Sequence, residues 1–328
     1  MANEPQQPEA PFVNSDWAAV PDVHRFARQA MATTFEVVVQ HEDRLYAQQA
    51  ASAAFAELAR IEGELSRYLE TSDITRINHL PANQPLPIGL EAFECLAIGA
   101  EIHEQTGGAF DMTVGFLVDA WLDEDKKPRT PSDEELKFAR EHTGMDLILL
   151  DEPTHAVALT KSPVRVDPGA IGKGYGVDRM AELLREWSID RALIHGGFST
   201  VLAMDAPHGA KGWPITLSDP ANRQRTLARL ELERIAVGAS GVQKGQHIID
   251  PRVARPIEGK IAAWSVAPDA TRADALSTAF MVMPPREVQA YCREREGVRA
   301  LLIVEEPTDR RIIAAGRWKQ SELVVPTS

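Results

Sequence analysis

The sequence predicts an α+β fold, with mixed or antiparallel sheets flanked by helices in one compact unit. Two observations carry this. Segments of strand composition come in clusters with helices between them, and the regular strand–helix–strand alternation of a parallel sheet is missing. No proline-rich linker and no internal repeat divides the 328 residues, although a soft prior of roughly 150 residues per domain would also allow two. Hydrophobic residues at 44% and charged residues at 25% exclude a wholly disordered chain, because enough apolar surface is available to bury.

In order, residues 1–22 are rich in Pro, Gln and Glu and read as a flexible tail, with the body running from 23 to 320 and a short C-terminal tail at 321–328. The β-branched run Thr34-Phe-Glu-Val-Val-Val-Gln reads as a strand. Residues 44–69 carry Leu45, Ala53, Ala54, Leu58, Ile61 and Leu65 at helical spacing. An ordered loop and short helix span 66–78, and a helix over 89–106 stops at Gly107-Gly108. Residues 122–133 read as a surface insertion, and 145–150 with 156–159 as a hairpin. A helix over 174–187 precedes a buried strand at 191–194, and further strands are expected at 213–217, 226–232, 235–237 and 260–266. Helices from about 273 and over 285–296 lead to a closing hairpin of 300–304 and 311–315.

The charge is acidic, 35 Lys+Arg against 48 Asp+Glu, a net −13. A nucleic-acid binder needs a basic face to displace counterions, so that class is excluded, whereas a phosphate-bearing small molecule needs only a local positive site. Cys95 and Cys292 stand far apart and form no CxxC, which leaves neither a disulfide framework nor a structural zinc site. No run approaches the length of a transmembrane helix. The N-terminus has neither a basic n-region nor an apolar h-region, so the chain as written is expected to be cytoplasmic; a leader removed earlier would leave no trace.

Five segments could carry chemistry. Val166-Asp-Pro-Gly-Ala-Ile-Gly-Lys-Gly-Tyr-Gly places four glycines around Lys173, so backbone N–H groups and an ammonium would face an anion at a helix start; a tight strand-to-helix turn is the plainer reading. Ile194-His-Gly-Gly-Phe offers close backbone approach at Gly196 and Gly197. Gln246-His-Ile-Ile-Asp-Pro holds His247, a base suited to neutral pH or simply a strand histidine. In Thr271-Arg-Ala-Asp-Ala-Leu-Ser-Thr, Asp274 and Thr278 are i and i+4 on one helix face, an oxygen pair suited to Mg2+. The same residue types also cap helices. Thr106-Gly-Gly-Ala-Phe-Asp-Met-Thr presents Asp111 and Thr113 after a helix end.

Read in order with Ala30-Met-Ala-Thr-Thr-Phe, Leu65-Ser-Arg-Tyr, Ser72-Asp-Ile-Thr-Arg-Ile-Asn and Ala239-Ser-Gly, these segments resemble the ApbE family of FAD:protein FMN transferases over about residues 26–317. The resemblance implies an ApbE-like, T-fold-like catalytic unit. Its activity would be Mg2+-dependent transfer of FMN from FAD to a threonine of an acceptor flavoprotein, with release of AMP; Mn2+ would satisfy the same oxygen ligands. Met31, Tyr68, Asn78, Ala109, Phe110, Asp111, Asp167, Lys173, Gly196, Gly197 and Ile248 would bind FAD. Asp274, Thr278 and the carbonyl of Ala170 would hold the metal, and His247 would take the proton of the incoming hydroxyl. Water as acceptor would make the same site an FAD pyrophosphatase, and loss of turnover would leave an FAD-binding protein. Two departures stand out: Ile194-His-Gly-Gly-Phe198 replaces Asn-x-Gly-Gly-Asp, and Ala239 replaces the threonine of Thr-Ser-Gly. Ser199, Thr200 and Ser240 are the nearby groups that could supply the missing polarity. Exported members are common in the family, but no lipobox cysteine is seen here, nor any acceptor motif for self-modification.

Overall fold

The computed structural model describes residues 12–15, 17, 20–242, 248–306 and 309–327. The chain opens with β1 (Val13–Ser15) and a hairpin of β2 (Val23–Ala30) and β3 (Thr33–Gln40). Next come α1 (Arg44–Leu65), α2 (Asp73–Asn78), β4 (Leu86–Pro87), α3 (Leu90–Gln105), α4 (Gly115–Trp121) and α5 (Asp133–Glu141). β5 (Ile148–Asp151), β6 (Ala156–Leu159), α6 (Gly172–Glu186), β7 (Ala192–Gly196) and β8 (Thr200–Ala203) follow. A run of strands comes next: β9 (Trp213–Asp219), β10 (Asn222–Leu232), β11 (Ile235–Gly241), β12 (Ile249–Asp250), β13 (Arg255–Pro256) and β14 (Lys260–Ala267). The chain closes with α7 (Ala270–Val282), α8 (Pro285–Glu294), β15 (Arg299–Glu305) and β16 (Arg310–Ala315).

Eight strands form one sheet in the order β16-β15-β14-β11-β8-β7-β3-β2, and each neighbouring pair is antiparallel. Both faces are covered, and the two-residue period of a strand decides which side chain serves which face. Val37, Val39, Ile194, Leu202 and Ala236 join the core under α1, α6 and α7. Their chain neighbours Val38, Leu193, Val201 and Val237 join a second core, closed by the small β1-β9-β10 sheet. Burial on both sides explains why these strands read as unbroken apolar runs with no alternation. Among the described residues no helix is long and apolar enough to cross a membrane.

Three expectations are corrected. The stretch to residue 22 was expected to be a flexible tail, but Val13–Ser15 pair with Leu217–Ile215 of β9. The 321–328 tail is docked over part of its length: Glu322 accepts from Arg299 at 2.8 Å and Val324 N–H donates to Leu227 at 2.9 Å. The helix expected from about Ala273 begins at Ala270, because Asp269 caps it through the N–H of Arg272 at 2.7 Å. Asp178 adds a second cap from α6, accepting the N–H groups of Ala270 and Thr271 at 2.8 Å each. These two carboxylates do the capping, so Asp274 stands one turn inside α7.

Candidate active site

The site is built where the start of α6 and the face of α7 meet the ends of β7, β8 and β11. Two close approaches make that meeting. A Cβ on Gly174 would lie 2.2 Å from the Ala270 carbonyl oxygen, and one on Gly238 would lie 2.1 Å from that of Ala273. Glycine at these positions lets α7 seat directly on α6 and on β11.

Asp274 is the centre of the arrangement and is buried, at 3% exposure. Its Oδ2 accepts from the Gly174 N–H at 3.1 Å and from Lys173 Nζ at 3.1 Å. Its Oδ1 accepts from Thr200 Oγ1 at 3.0 Å and from Lys173 Nζ at 3.3 Å. Lys173 also donates to the Gly169 carbonyl at 3.3 Å, so the Pro168–Ala170 turn and α7 turn oxygens toward one positive charge. One helical turn on from Asp274, Thr278 Oγ1 lies 3.0 Å from Ser240 Oγ of β11. The Asp274 carboxylate and the Thr278 hydroxyl are oxygen donors of the kind that could hold Mg2+. Among the described residues no group of three or more His, Cys, Asp and Glu gathers as a metal cluster.

The other segments attach to this centre by backbone bonds. Asp167 N–H donates to the Met112 carbonyl at 2.7 Å, and Gly115 N–H to that of Arg165 at 3.1 Å, which lays the 109–115 loop beside the lysine loop. Asn78 brackets Val166, accepting its N–H at 2.6 Å and donating to its carbonyl at 3.1 Å. Arg67 pairs with Asp167 at 2.6 Å, donates to Tyr68 Oη at 2.7 Å and lies over its ring. Tyr68 itself is 75% exposed. Tyr68 and Asn78, with Arg67, Phe116 and Arg165, line a cavity of about 560 Å3. Met31 sits in the β2–β3 turn at a φ of 47°, in the left-handed region, and its N–H donates to Glu62 at 2.8 Å. Its methyl group reaches the α6 backbone at Gly176, one turn beyond Lys173.

Not every candidate residue offers its side chain. Ala109 and Phe110 are buried in the core, so a ligand beside them would meet their backbone. Asp111 is buried, which pushes its carboxyl pKa up, and its Oδ1 holds the Thr113 N–H at 2.7 Å and the Thr113 hydroxyl at 2.5 Å. Ile248 is also buried, and its carbonyl accepts from the Ile257 N–H at 3.1 Å. A Cβ on Gly196 would touch Val177, Phe35 and the Lys173 carbonyl, so the Gly-Gly turn closes tightly over the start of α6. Gly197 has a φ of 69° against Thr33. His247 lies outside the described residues. Thr200, one of the hydroxyls expected to supply the missing polarity, is bonded to Asp274, whereas Ser277 was missed because a lone hydroxyl in a helix carries no spacing signal. Arg67, inside a quoted motif, could have been found as the cation beside Asp167.

The chain is similar to known proteins over most of its length. The model of the ApbE family matches residues 31–302. The FAD:protein FMN transferase of Klebsiella pneumoniae (strain 342) is 28% identical over 293 residues, 85% of this chain and 83% of that protein. The enzyme of the same name from Salmonella typhimurium is 28% identical over 294 residues, with the same shares covered. Among solved structures, an ApbE protein of Thermotoga maritima superposes with a TM-score of 0.81 at 27% identity, covering 92% of this chain and 99% of that one. The flavinyl transferase ApbE of Pseudomonas stutzeri gives a TM-score of 0.78 at 26% identity, covering 89% and 94%.

Proposed function

This chain belongs to the ApbE family, and from that premise we propose that it is an FAD:protein FMN transferase that moves FMN onto a threonine of an acceptor flavoprotein. The observation that carries the reading is the convergence of Lys173, Gly174 N–H and Thr200 on a buried Asp274, with Thr278 one turn away. Asp274, Thr278 and the Ala170 carbonyl would hold Mg2+, which would neutralise charge on the pyrophosphate.

In the reaction the acceptor hydroxyl oxygen bonds to the FMN phosphorus, and the bond from that phosphorus to the bridging oxygen breaks. AMP leaves with that oxygen, and the acceptor proton goes to His247. Phosphoryl transfer of this kind needs alignment and charge stabilisation more than covalent catalysis. Lys173, at the second residue of α6, would place its ammonium against the pyrophosphate together with the helix N-terminus. Arg67, stacked on Tyr68 and paired with Asp167, would supply a second cation.

The test is AMP release from FAD with Mg2+ and an acceptor-threonine peptide. Wild type should release AMP, and Asp274→Ala should release none while binding FAD. Equal release by both proteins would remove Asp274 from the machinery and sink the reading.

A further inference from the structure

The hydroxyls beneath Thr278 decide which way its own proton points. Ser277 Oγ donates to the Asp274 carbonyl at 2.7 Å. A carbonyl only accepts, so the single hydroxyl proton of Ser277 is committed there. Ser240 Oγ lies 2.7 Å from Ser277 Oγ, and the proton in that bond must therefore come from Ser240. With the Ser240 proton committed, the 3.0 Å bond between Ser240 Oγ and Thr278 Oγ1 takes its proton from Thr278. The relay runs one way, from Thr278 to Ser240 to Ser277 to the carbonyl of Asp274.

The fold builds this relay deliberately close. Ser240 is two residues beyond Gly238 on β11 and shares its face, and Gly238 is where α7 sits on the strand. Each link feeds the next, and partners in such chains strengthen one another. A hydroxyl ligates a hard cation through a lone pair, which requires its proton to be turned elsewhere.

We infer that Ser240 and Ser277 are positioning residues that present Thr278 Oγ1 as a pure oxygen donor to a divalent cation shared with Asp274. The inference rests on the reading of Asp274 and Thr278 as cation ligands. In Ser277→Ala the Ser240 proton is released and can turn onto Thr278, reversing the last link. In Ser240→Ala the Thr278 proton loses its acceptor.

The experiment uses Mn2+ alone as the probe, with free Mn2+ followed by electron paramagnetic resonance in the FAD-free full chain. Wild type is expected to bind, Asp274→Ala to lose binding, and Ser277→Ala and Ser240→Ala each to bind about tenfold more weakly, the lower end of what such outer partners control. Ser277 is fully buried, so thermal melting accompanies its variant. Ser240 is partly exposed, and its variant answers the question if Ser277→Ala does not fold. Wild-type affinity in both serine variants, with binding lost in Asp274→Ala, overturns the relay and leaves the cation site standing. Mn2+ binding unchanged in Asp274→Ala, or absent from wild type, overturns the cation reading and the relay with it.

Discussion

Thr200→Val removes one donor from the buried carboxylate and almost nothing else. Valine keeps the shape of threonine and suits the first position of β8. In wild type, Asp274 Oδ1 accepts from Thr200 at 3.0 Å and from Lys173 at 3.3 Å. After the substitution only the longer bond remains, and a methyl group faces a charge that is 4% exposed. A hydrogen bond to a charged group contributes about 1.5–3 kcal/mol, so the metal-free protein should lose about 2 kcal/mol. For a chain of this length that is roughly a 3 °C fall in Tm. The assay is calorimetric melting in a chelator, with Thr200→Ser as the control that restores the donor. A Thr200→Val protein that melts with wild type, or a Thr200→Ser protein that falls as far as valine, would show that the hydroxyl does not hold Asp274.

Further predictions concern the frame and the proton step. Gly238→Ala drives a Cβ to 2.1 Å from a backbone oxygen of α7; the helix must lift, with a loss on the order of 3 kcal/mol visible in urea denaturation, and an unchanged midpoint would contradict the tight seating. His195 faces the second core and bonds Ser15 at 2.9 Å, and burial pushes its pKa down from 6.5 to about 4. The unfolded chain therefore takes a proton near pH 6.5 that the folded chain refuses until near 4, so stability present above 6.5 is lost as pH falls, by about 3 kcal/mol in full. His195→Gln should flatten that slope between pH 6.5 and 4, and an identical slope in both proteins would rule out His195 as its source. His247→Ala should lower kcat by on the order of 100-fold while FAD affinity is kept; equal losses in both would make it a binding residue.

The sequence showed the α+β class and the order of most elements, because the apolar spacing of α1 and the β-branched run of β3 are local signals. It did not show β8 or the start of α7. β8 is four residues long, and the start of α7 is set by Asp269 and by the tertiary cap from Asp178. Lys173 and Asp274 were readable as an anion-facing lysine and a cation-facing carboxylate. That they meet, with Thr200 on the other oxygen, depends on Gly174 and Gly238 letting backbones touch, which no spacing announces. The departures at Ile194 and Phe198 looked like lost polarity. The structure shows Thr200 and Ser240 bonded to the two α7 side chains, whereas Ser199 has no part in those bonds.

The most direct test of the central claim is the mass of an acceptor peptide carrying a threonine motif, after incubation with this chain, FAD and Mg2+. The account predicts a peptide heavier by one FMN less one water, attached at the threonine, with one AMP released per peptide modified. An unmodified peptide with AMP and free FMN in solution would make the chain a pyrophosphatase. Bound FAD with no AMP would make it a binding protein, and either result would contradict the transferase assignment.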